Sequence, residues 1–176
     1  MAKRPLVRYP NGALAGQLRV VGAMIRDGMK TRVFYVSLGG FDTHANQKQR
    51  HNQLMATLSQ SVSAFMSDLR KQKLLDRVAI LSFSEFGRRV KENGSRGTDH
   101  GVAGPMFLFG SKIRGGLHGE HPSLTELDKG DLVMTTDFRS VYASVLDDWL
   151  GVPSKDVLGQ EFERLPLIGR RRTRAF

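Results

Sequence analysis

Apolar residues recur at helical spacing in two stretches of the first half of the chain. The first stripe is Leu14, Leu18, Val21 and Ile25. It predicts a helix that starts after Asn11 as its N-cap and stops before Gly28. The second stripe is Leu54, Leu58, Val62, Phe65 and Leu69. It predicts a long helix from about residue 47 to residue 72, with one apolar face available for packing.

Two apolar runs flank the longer helix. Residues 33–38 are mostly β-branched or aromatic and end at Gly39 and Gly40, and residues 78–83 form the second run. Runs that are apolar on both faces are typical of interior strands in a covered sheet. A strand, a helix and a second strand make a βαβ unit, which implies parallel pairing and a right-handed crossover. We therefore predict an α/β fold with a mostly parallel sheet covered by helices.

The second half of the chain has a weaker pattern. Residues 106–109 predict a short strand, and residues 132–134 predict either a short strand or an extended segment. Residues 138–150 carry apolar side chains at helical spacing and predict a helix, with Thr136 or Asp137 as its cap. These elements extend the α/β pattern to the C-terminal half.

Acidic and histidine side chains follow both strands predicted beside the long helix. Asp42 and His44 come directly after the first strand, and Glu85 follows the second. Because one residue separates Asp42 from His44, an extended chain points both side chains to the same side. The carboxyl ends of parallel strands meet at one edge of a sheet, where open α/β sheets bind ligands. We therefore expect these three side chains to share one polar site.

Two further candidates lie in residues 91–101, a polar segment with glycines that predicts a loop. Asp99 and His100 are adjacent, so one can bind an ion while the other orients a ligand. The chain has no cysteine, which leaves oxygen and nitrogen ligands and favours zinc, manganese, calcium or magnesium. In the alternative interpretation, Asp42 and Asp99 cap turns and the histidines bond to local backbone groups.

Positive charge is the main feature of the composition. Lys and Arg number 27 against 17 Asp and Glu, so the net charge of +10 attracts anions. Arg88 is a candidate to clamp an anionic group through two parallel hydrogen bonds. Its alternative is an ion pair with Glu85 or Glu92. Nucleic-acid binding is not favoured, because neither a recognition motif nor interleaved aromatic residues accompany the charge.

The length of 176 residues fits a single domain over residues 1–176. Basic residues cluster at both ends, so residues 1–9 and 169–176 are predicted to be flexible tails. The cluster consists of Lys3, Arg4, Arg170, Arg171, Arg172 and Arg174. The apolar runs are too short to span a bilayer, and the first ten residues lack the apolar core of a signal peptide.

Four strings in the sequence together carry a resemblance to a known family. They are GGFDTH, SEFGRR, ENGSRGTDHG and TTDFRSVYASVLDDWLG. Their order and spacing closely resemble the domain-of-unknown-function family 1501, over about residues 9–167. That family is placed with the alkaline-phosphatase-like hydrolases, which include phosphatases, sulfatases and cofactor-independent phosphoglycerate mutases. The resemblance implies an alkaline-phosphatase-like sandwich with a mostly parallel sheet, of which this chain looks like the C-terminal part.

The resemblance also implies roles for particular residues. In the wider group, Asp and His at strand ends hold divalent metals, and Asp42 and His44 look like one such motif at a shorter spacing. Glu85 stands where an Asp-His pair is usual, and His100 looks like the final histidine. The pair Asp99 and His100 also resembles the second motif, so two assignments remain open.

Two features of the wider group have no counterpart in this sequence. The group takes a metal-binding Asp and a nucleophile from an N-terminal region, and full-length relatives tend to begin with a twin-arginine export signal. We therefore expect an incomplete fold that is inactive alone. Its exposed sheet edge is expected to pair with another copy or with an N-terminal half.

Three functional hypotheses follow. The first is a metal-dependent hydrolase of phosphate or sulfate esters, in which Asp99 orients a ligand and Arg88 orients the anion. Its metal ligands would be Asp42, His44, Glu85 and His100. The second is a non-catalytic binding or scaffold protein, in which the same polar residues brace loops. The third is an anion or nucleic-acid binder driven by the basic charge, with a steep salt dependence.

Overall fold

The computed structural model describes residues 4–169. These residues form two compact units. The first unit comprises the chain up to Val78 together with Lys91–Asp99, and the second comprises Ala79–Val90 together with the chain from His100 onward. A single domain over residues 1–176 stays a prediction. Most of the basic residues assigned to flexible tails, Lys3 and those at 170–174, lie outside the described residues.

Two helices build the first unit, as predicted. Helix α1 (Ala13–Arg26) packs against helix α2 (Gln47–Lys71), which leads into a 3-10 turn at Leu75–Arg77. The buried apolar side chains are Leu14, Ala15, Leu18, Val62, Phe65, Leu69 and Leu75. Burial of each large apolar side chain contributes about 1.5–3 kcal/mol. The predicted Asn11 cap is wrong, because Gly12 occupies the N-cap at φ 128, a conformation that favours glycine.

A buried carboxylate, Asp68, lies inside this helical core. The side chain of Asp68 is 0% exposed, and its Oδ2 accepts from Arg26 Nη1 at 2.8 Å and from Tyr9 Oη at 3.0 Å. Its Oδ1 accepts from the backbone N of Leu6 at 2.7 Å and from Gln72 Nε2 at 2.7 Å. Burial, and then the charge of Asp68, raise the pKa of Tyr9, so the phenol stays protonated and donates. One carboxylate thus ties the N-terminal segment to both helices.

The second unit contains two short helices near its C-terminal end. Helix α3 (Phe138–Ser144) continues as a π-helical segment, Val145–Leu150, and helix α4 spans Ser154–Leu158. The predicted helix at 138–150 is confirmed, with Asp137 as the cap. Gly151 ends the π-helical segment in the left-handed conformation, with φ 62.

Within the described residues, six short strands form three two-stranded sheets. The strands are β1 (Ile80–Leu81), β2 (Gly87–Glu92), β3 (Thr98–Gly101), β4 (Leu108–Phe109), β5 (Leu127–Asp128) and β6 (Asp131–Leu132). The pairs are β1 with β4, β2 with β3, and β5 with β6. The predicted loop at residues 91–101 is therefore wrong at both ends, where β2 and β3 lie. Their mostly exposed polar side chains gave no hydrophobic alternation that would indicate strands.

The parallel sheet predicted around the long helix is not observed in residues 4–169. Strand β1 pairs antiparallel with β4, in the register Ile80 to Phe109 and Leu81 to Leu108. The β5–β6 ladder is antiparallel as well. The chain is therefore mixed α/β, but the βαβ unit was wrong, because the neighbour of β1 comes from residues 108–109 downstream.

Residues 33–38 do not form the interior strand that their composition predicted. No strand is assigned there, and the side chains of Val33 and Tyr35 are 68% and 76% exposed. Phe34, Val36 and Leu38 alternate with them and are half-buried. The backbone N of Ser37 donates to the side-chain Oε1 of Gln17 in α1 at 3.0 Å. Apolar composition on both faces indicated burial on both sides, whereas only one side of this extended segment is covered.

Replacing Asp137 with alanine should weaken the second unit. Its Oδ1 accepts from the backbone N of Arg139 at 2.8 Å, and the Arg139 guanidinium donates to both carboxylate oxygens. We expect Asp137→Ala to lower the free energy of unfolding by about 1 kcal/mol, since an N-cap is lost. Urea denaturation measures this, with Glu163→Ala, the loss of another exposed carboxylate, as the control.

The same substitution has a defined pH dependence. Hydrogen bonds from the Arg139 side chain hold the pKa of Asp137 below its usual value. A lowered folded pKa means that the ionised cap contributes fully above the unfolded pKa of about 3.9. The contribution is lost as the pH falls from there through the folded pKa. The stability difference between wild type and Asp137→Ala should therefore shrink below about pH 4, and a constant difference down to that range contradicts the capping role.

Within residues 4–169, every helix is too short or too polar to cross a bilayer. This agrees with the prediction of no membrane span.

Candidate metal site and its supporting loop

A tight turn in the first unit presents two of the candidate side chains. The backbone N of Thr43 donates to the carbonyl of Phe41 at 2.8 Å, and Thr43 is buried. Asp42 and His44 flank Thr43 and are exposed. His44 Nε2 lies 2.9 Å from Asp42 Oδ1, so the two side chains do meet on one side of the turn.

A third candidate approaches the other nitrogen of the same imidazole. His44 Nδ1 lies 3.4 Å from Asp99 Oδ1, a long contact between residues 55 positions apart in sequence. The imidazole of His44 therefore has a carboxylate at each ring nitrogen. Its side chain is 47% exposed, and those of Asp42 and Asp99 are 66% and 62% exposed. A neutral imidazole has one donor and one acceptor nitrogen, so a carboxylate at each nitrogen leaves one of the two oxygens facing an acceptor.

Asp99 reaches His44 because the β2–β3 turn docks on the start of α2. The backbone N groups of Asn46 and Gln47 donate to the carbonyls of Ser95 and Arg96, both at 3.0 Å. Thr98 Oγ1 also donates to Gln47 Oε1 at 3.0 Å. Since the first N–H groups of a helix have no partner within the helix, these carbonyls supply acceptors at the α2 terminus.

Gly97 is the point of closest approach in this docking. A Cβ built on Gly97 would collide with the carbonyl carbon and oxygen of His44, and it would lie 2.8 Å from the backbone N of Ala45. Only glycine fits against the backbone here. We call residues 93–97 the docking loop. Sequence reasoning treated its glycines as general loop residues and missed the contact with His44.

The remaining candidates belong to the second unit. Glu85 is exposed in the bend between β1 and β2. The ring of His100 stacks on Phe86 with centroids 3.9 Å apart and planes 5° apart, and the Arg88 guanidinium carbon lies 5.1 Å from the Phe86 centroid. His100 directly follows Asp99 in the chain, so their Cα atoms are about 3.8 Å apart. That Glu85, Arg88 and His100 act with Asp42 and His44 stays a prediction.

Several other serine and histidine side chains contact backbone groups. Ser82 Oγ accepts from the backbone N of Phe107, and Ser84 Oγ donates to the carbonyl of Phe86, both at 2.9 Å. His118 Nε2 and His121 Nδ1 contact the backbone carbonyls of Arg114 and Pro122.

The fold and this cluster define a mixed α/β protein with an exposed histidine held between two aspartates. The chain belongs to the family described as protein of unknown function (DUF1501), whose model matches residues 15–157. No curated protein matches the chain, and no solved structure matches it.

Proposed function

We propose that this protein is a metal-dependent hydrolase of phosphate or sulfate esters, or an inactive remnant of one. The observation that carries the proposal is the His44 imidazole with a carboxylate at each nitrogen. The alkaline-phosphatase-like resemblance adds the reaction class, since that group cleaves such esters. The chain's own residues supply the candidate metal ligands and a cationic side chain for the anion.

The donor atoms fit a divalent ion. In octahedral coordination, two ligands about 2.1 Å from one ion and about 90° apart lie about 3.0 Å from each other. The separation between Asp42 Oδ1 and His44 Nε2 is 2.9 Å. One nitrogen and carboxylate oxygens suit zinc or manganese, and calcium or magnesium to the extent that oxygen ligands dominate.

Each residue has a distinct task in the proposed site. Asp42 and His44 hold the ion, and His100 and Glu85 are the further ligands that the sequence suggests. Asp99 contacts His44 Nδ1 and fixes the ring orientation, as carboxylates beside metal-binding histidines do. Arg88 would bind an anionic oxygen of the ester. A bound divalent ion would supply Lewis acidity toward the ester.

Metal binding should depend on His44. We expect purified protein to bind Zn²⁺ or Mn²⁺ at one ion per chain. His44→Ala should weaken that binding at least 100-fold, because loss of a direct ligand should reduce metal affinity at least as much as loss of a residue that supports a ligand, which costs about 10–100-fold. Calorimetric titration measures affinity and stoichiometry, and metal analysis measures content. Turnover of an aryl phosphate and an aryl sulfate tests the reaction. The matched control is His118→Ala, an exposed histidine with only a backbone contact.

Equal metal affinity in His44→Ala and wild type would end the metal proposal. Metal binding without turnover of either ester would support the inactive form.

A second candidate function is anion binding without catalysis. The net charge of +10 favours it. Retention of the protein on heparin should then fall steeply as the salt concentration rises. His44→Ala should elute like wild type. Salt-insensitive elution would remove this candidate.

A further inference from the structure

Asn93 uses its whole side-chain amide inside the docking loop. Its Oδ1 accepts from the backbone N of Ser95 at 2.9 Å and from that of Gly97 at 3.1 Å. Its Nδ2 donates to the backbone carbonyl of His44 at 3.0 Å and to Asp99 Oδ1 at 3.3 Å. An amide group has two donor hydrogens and one acceptor oxygen with two lone pairs, so all four capacities are used.

The four bonds connect the loop to both partners in the candidate site. The two accepted bonds shape the loop, because an Asn side chain that bonds to backbone N–H groups ahead of it stabilises a turn. The two donated bonds hold the His44 backbone and the Asp99 carboxylate. The Asp99 oxygen that receives Asn93 Nδ2 is also the one facing His44 Nδ1. Asn93 therefore restrains Asp99 at the atom that contacts the imidazole.

We propose that Asn93 is the positioning residue of the metal site, which orients the imidazole of His44 through Asp99 and through the His44 carbonyl. The proposal rests on the metal function above for its effect on affinity. Its geometric part, the orientation of the His44 ring, stands without a metal. Asn93 itself contacts no ion in this scheme and acts only through Asp99 and His44.

The test compares two substitutions in the same hairpin. Asn93→Ala removes the contacts to Asp99 and His44, whereas Thr98→Val removes the hydroxyl that bonds to Gln47 and keeps the Asn93 side chain. Both should lower the melting temperature. Only Asn93→Ala should weaken Zn²⁺ binding, by about 10–100-fold, measured by calorimetry below both melting temperatures. Thr98→Val and the exposed control Asn52→Ala should stay within twofold of wild type.

A second readout keeps the two proposals separate. In metal-free protein at one fixed pH, the ring resonances of the 5 histidines can be compared by NMR, with His44→Ala identifying the His44 signal. The His44 resonance should move in Asn93→Ala and hold its position in Thr98→Val. If wild type binds no metal but this shift occurs, the metal function fails and the positioning role stands. An unmoved resonance overturns the positioning role, and so does an unchanged Zn²⁺ affinity in Asn93→Ala when wild type binds Zn²⁺.

Discussion

Replacing Asp68 with alanine should lower the free energy of unfolding by about 3–5 kcal/mol. The substitution removes the carboxylate that pairs with the Arg26 side chain, which is 2% exposed. It also removes the acceptor for the backbone N of Leu6, for Tyr9 and for Gln72. A buried donor without a partner bears its full desolvation cost, so the losses accumulate beyond one ion pair. Equilibrium urea denaturation followed by circular dichroism measures the change.

Two further variants make the result interpretable. Asp27→Ala removes an exposed carboxylate next to α1 and should change stability by less than about 0.5 kcal/mol. Arg26→Met combined with Asp68→Leu removes both charges, so it should recover part of the stability lost in Asp68→Ala. If Asp68→Ala is as stable as Asp27→Ala, the carboxylate is not the internal tie described above.

The helices of the first unit were predictable because their signal is local. The stripes of α1 and α2 repeat every three to four residues, and each helix packs with its own stripe against the other. The missed Asp68 had a local signal too. It lies three residues after Phe65 and seven after Ser61, both buried, so a carboxylate at helical spacing on the core face indicated a buried partner. That partner, Arg26, lies 42 residues earlier and could not be identified from spacing.

Strand pairing was not predictable by the same means. Residues 33–38 have the composition of an interior strand, but composition does not specify a hydrogen-bonding neighbour. Strand β1 pairs instead with β4, Leu108–Phe109, which lies further along the chain. The expected fold came from assuming that two apolar runs around a helix pair with each other. Non-local pairing overrode that assumption.

The sequence predicted the part of the candidate site that depends on residues close together in the chain. The meeting of Asp42 and His44 follows from their spacing, whereas the contact of His44 with Asp99 needs the docking loop to fold back onto α2. Asn93 was missed because its role depends on four hydrogen bonds, which join the docking loop to both His44 and Asp99. The available signal was an Asn followed by Gly94 and Gly97, a turn that leaves backbone N–H groups within reach of the side chain.

Replacing Gly97 with alanine should remove the support of the site in one step. A Cβ there would meet backbone atoms of His44 and Ala45, which cannot rotate away as a side chain can. Overpacking of this kind costs about 1–3 kcal/mol and occasionally more, and we expect about 3 kcal/mol here because the contacts are with backbone. Separation of the loop from α2 should also weaken the bonds from Asn46 and Gln47 to Ser95 and Arg96.

The same loop provides the matched control. A Cβ on Gly94 would meet no atom within 4 Å, so Gly94→Ala should be neutral or stabilising by up to about 1 kcal/mol. Urea denaturation compares the two alanine variants, and calorimetry compares their Zn²⁺ affinity. Gly97→Ala should lose affinity as Asn93→Ala does, because both release Asp99 from His44. Since the two alanines differ only in what their methyl groups touch, equal stability in Gly97→Ala and Gly94→Ala would mean that the loop does not pack on His44.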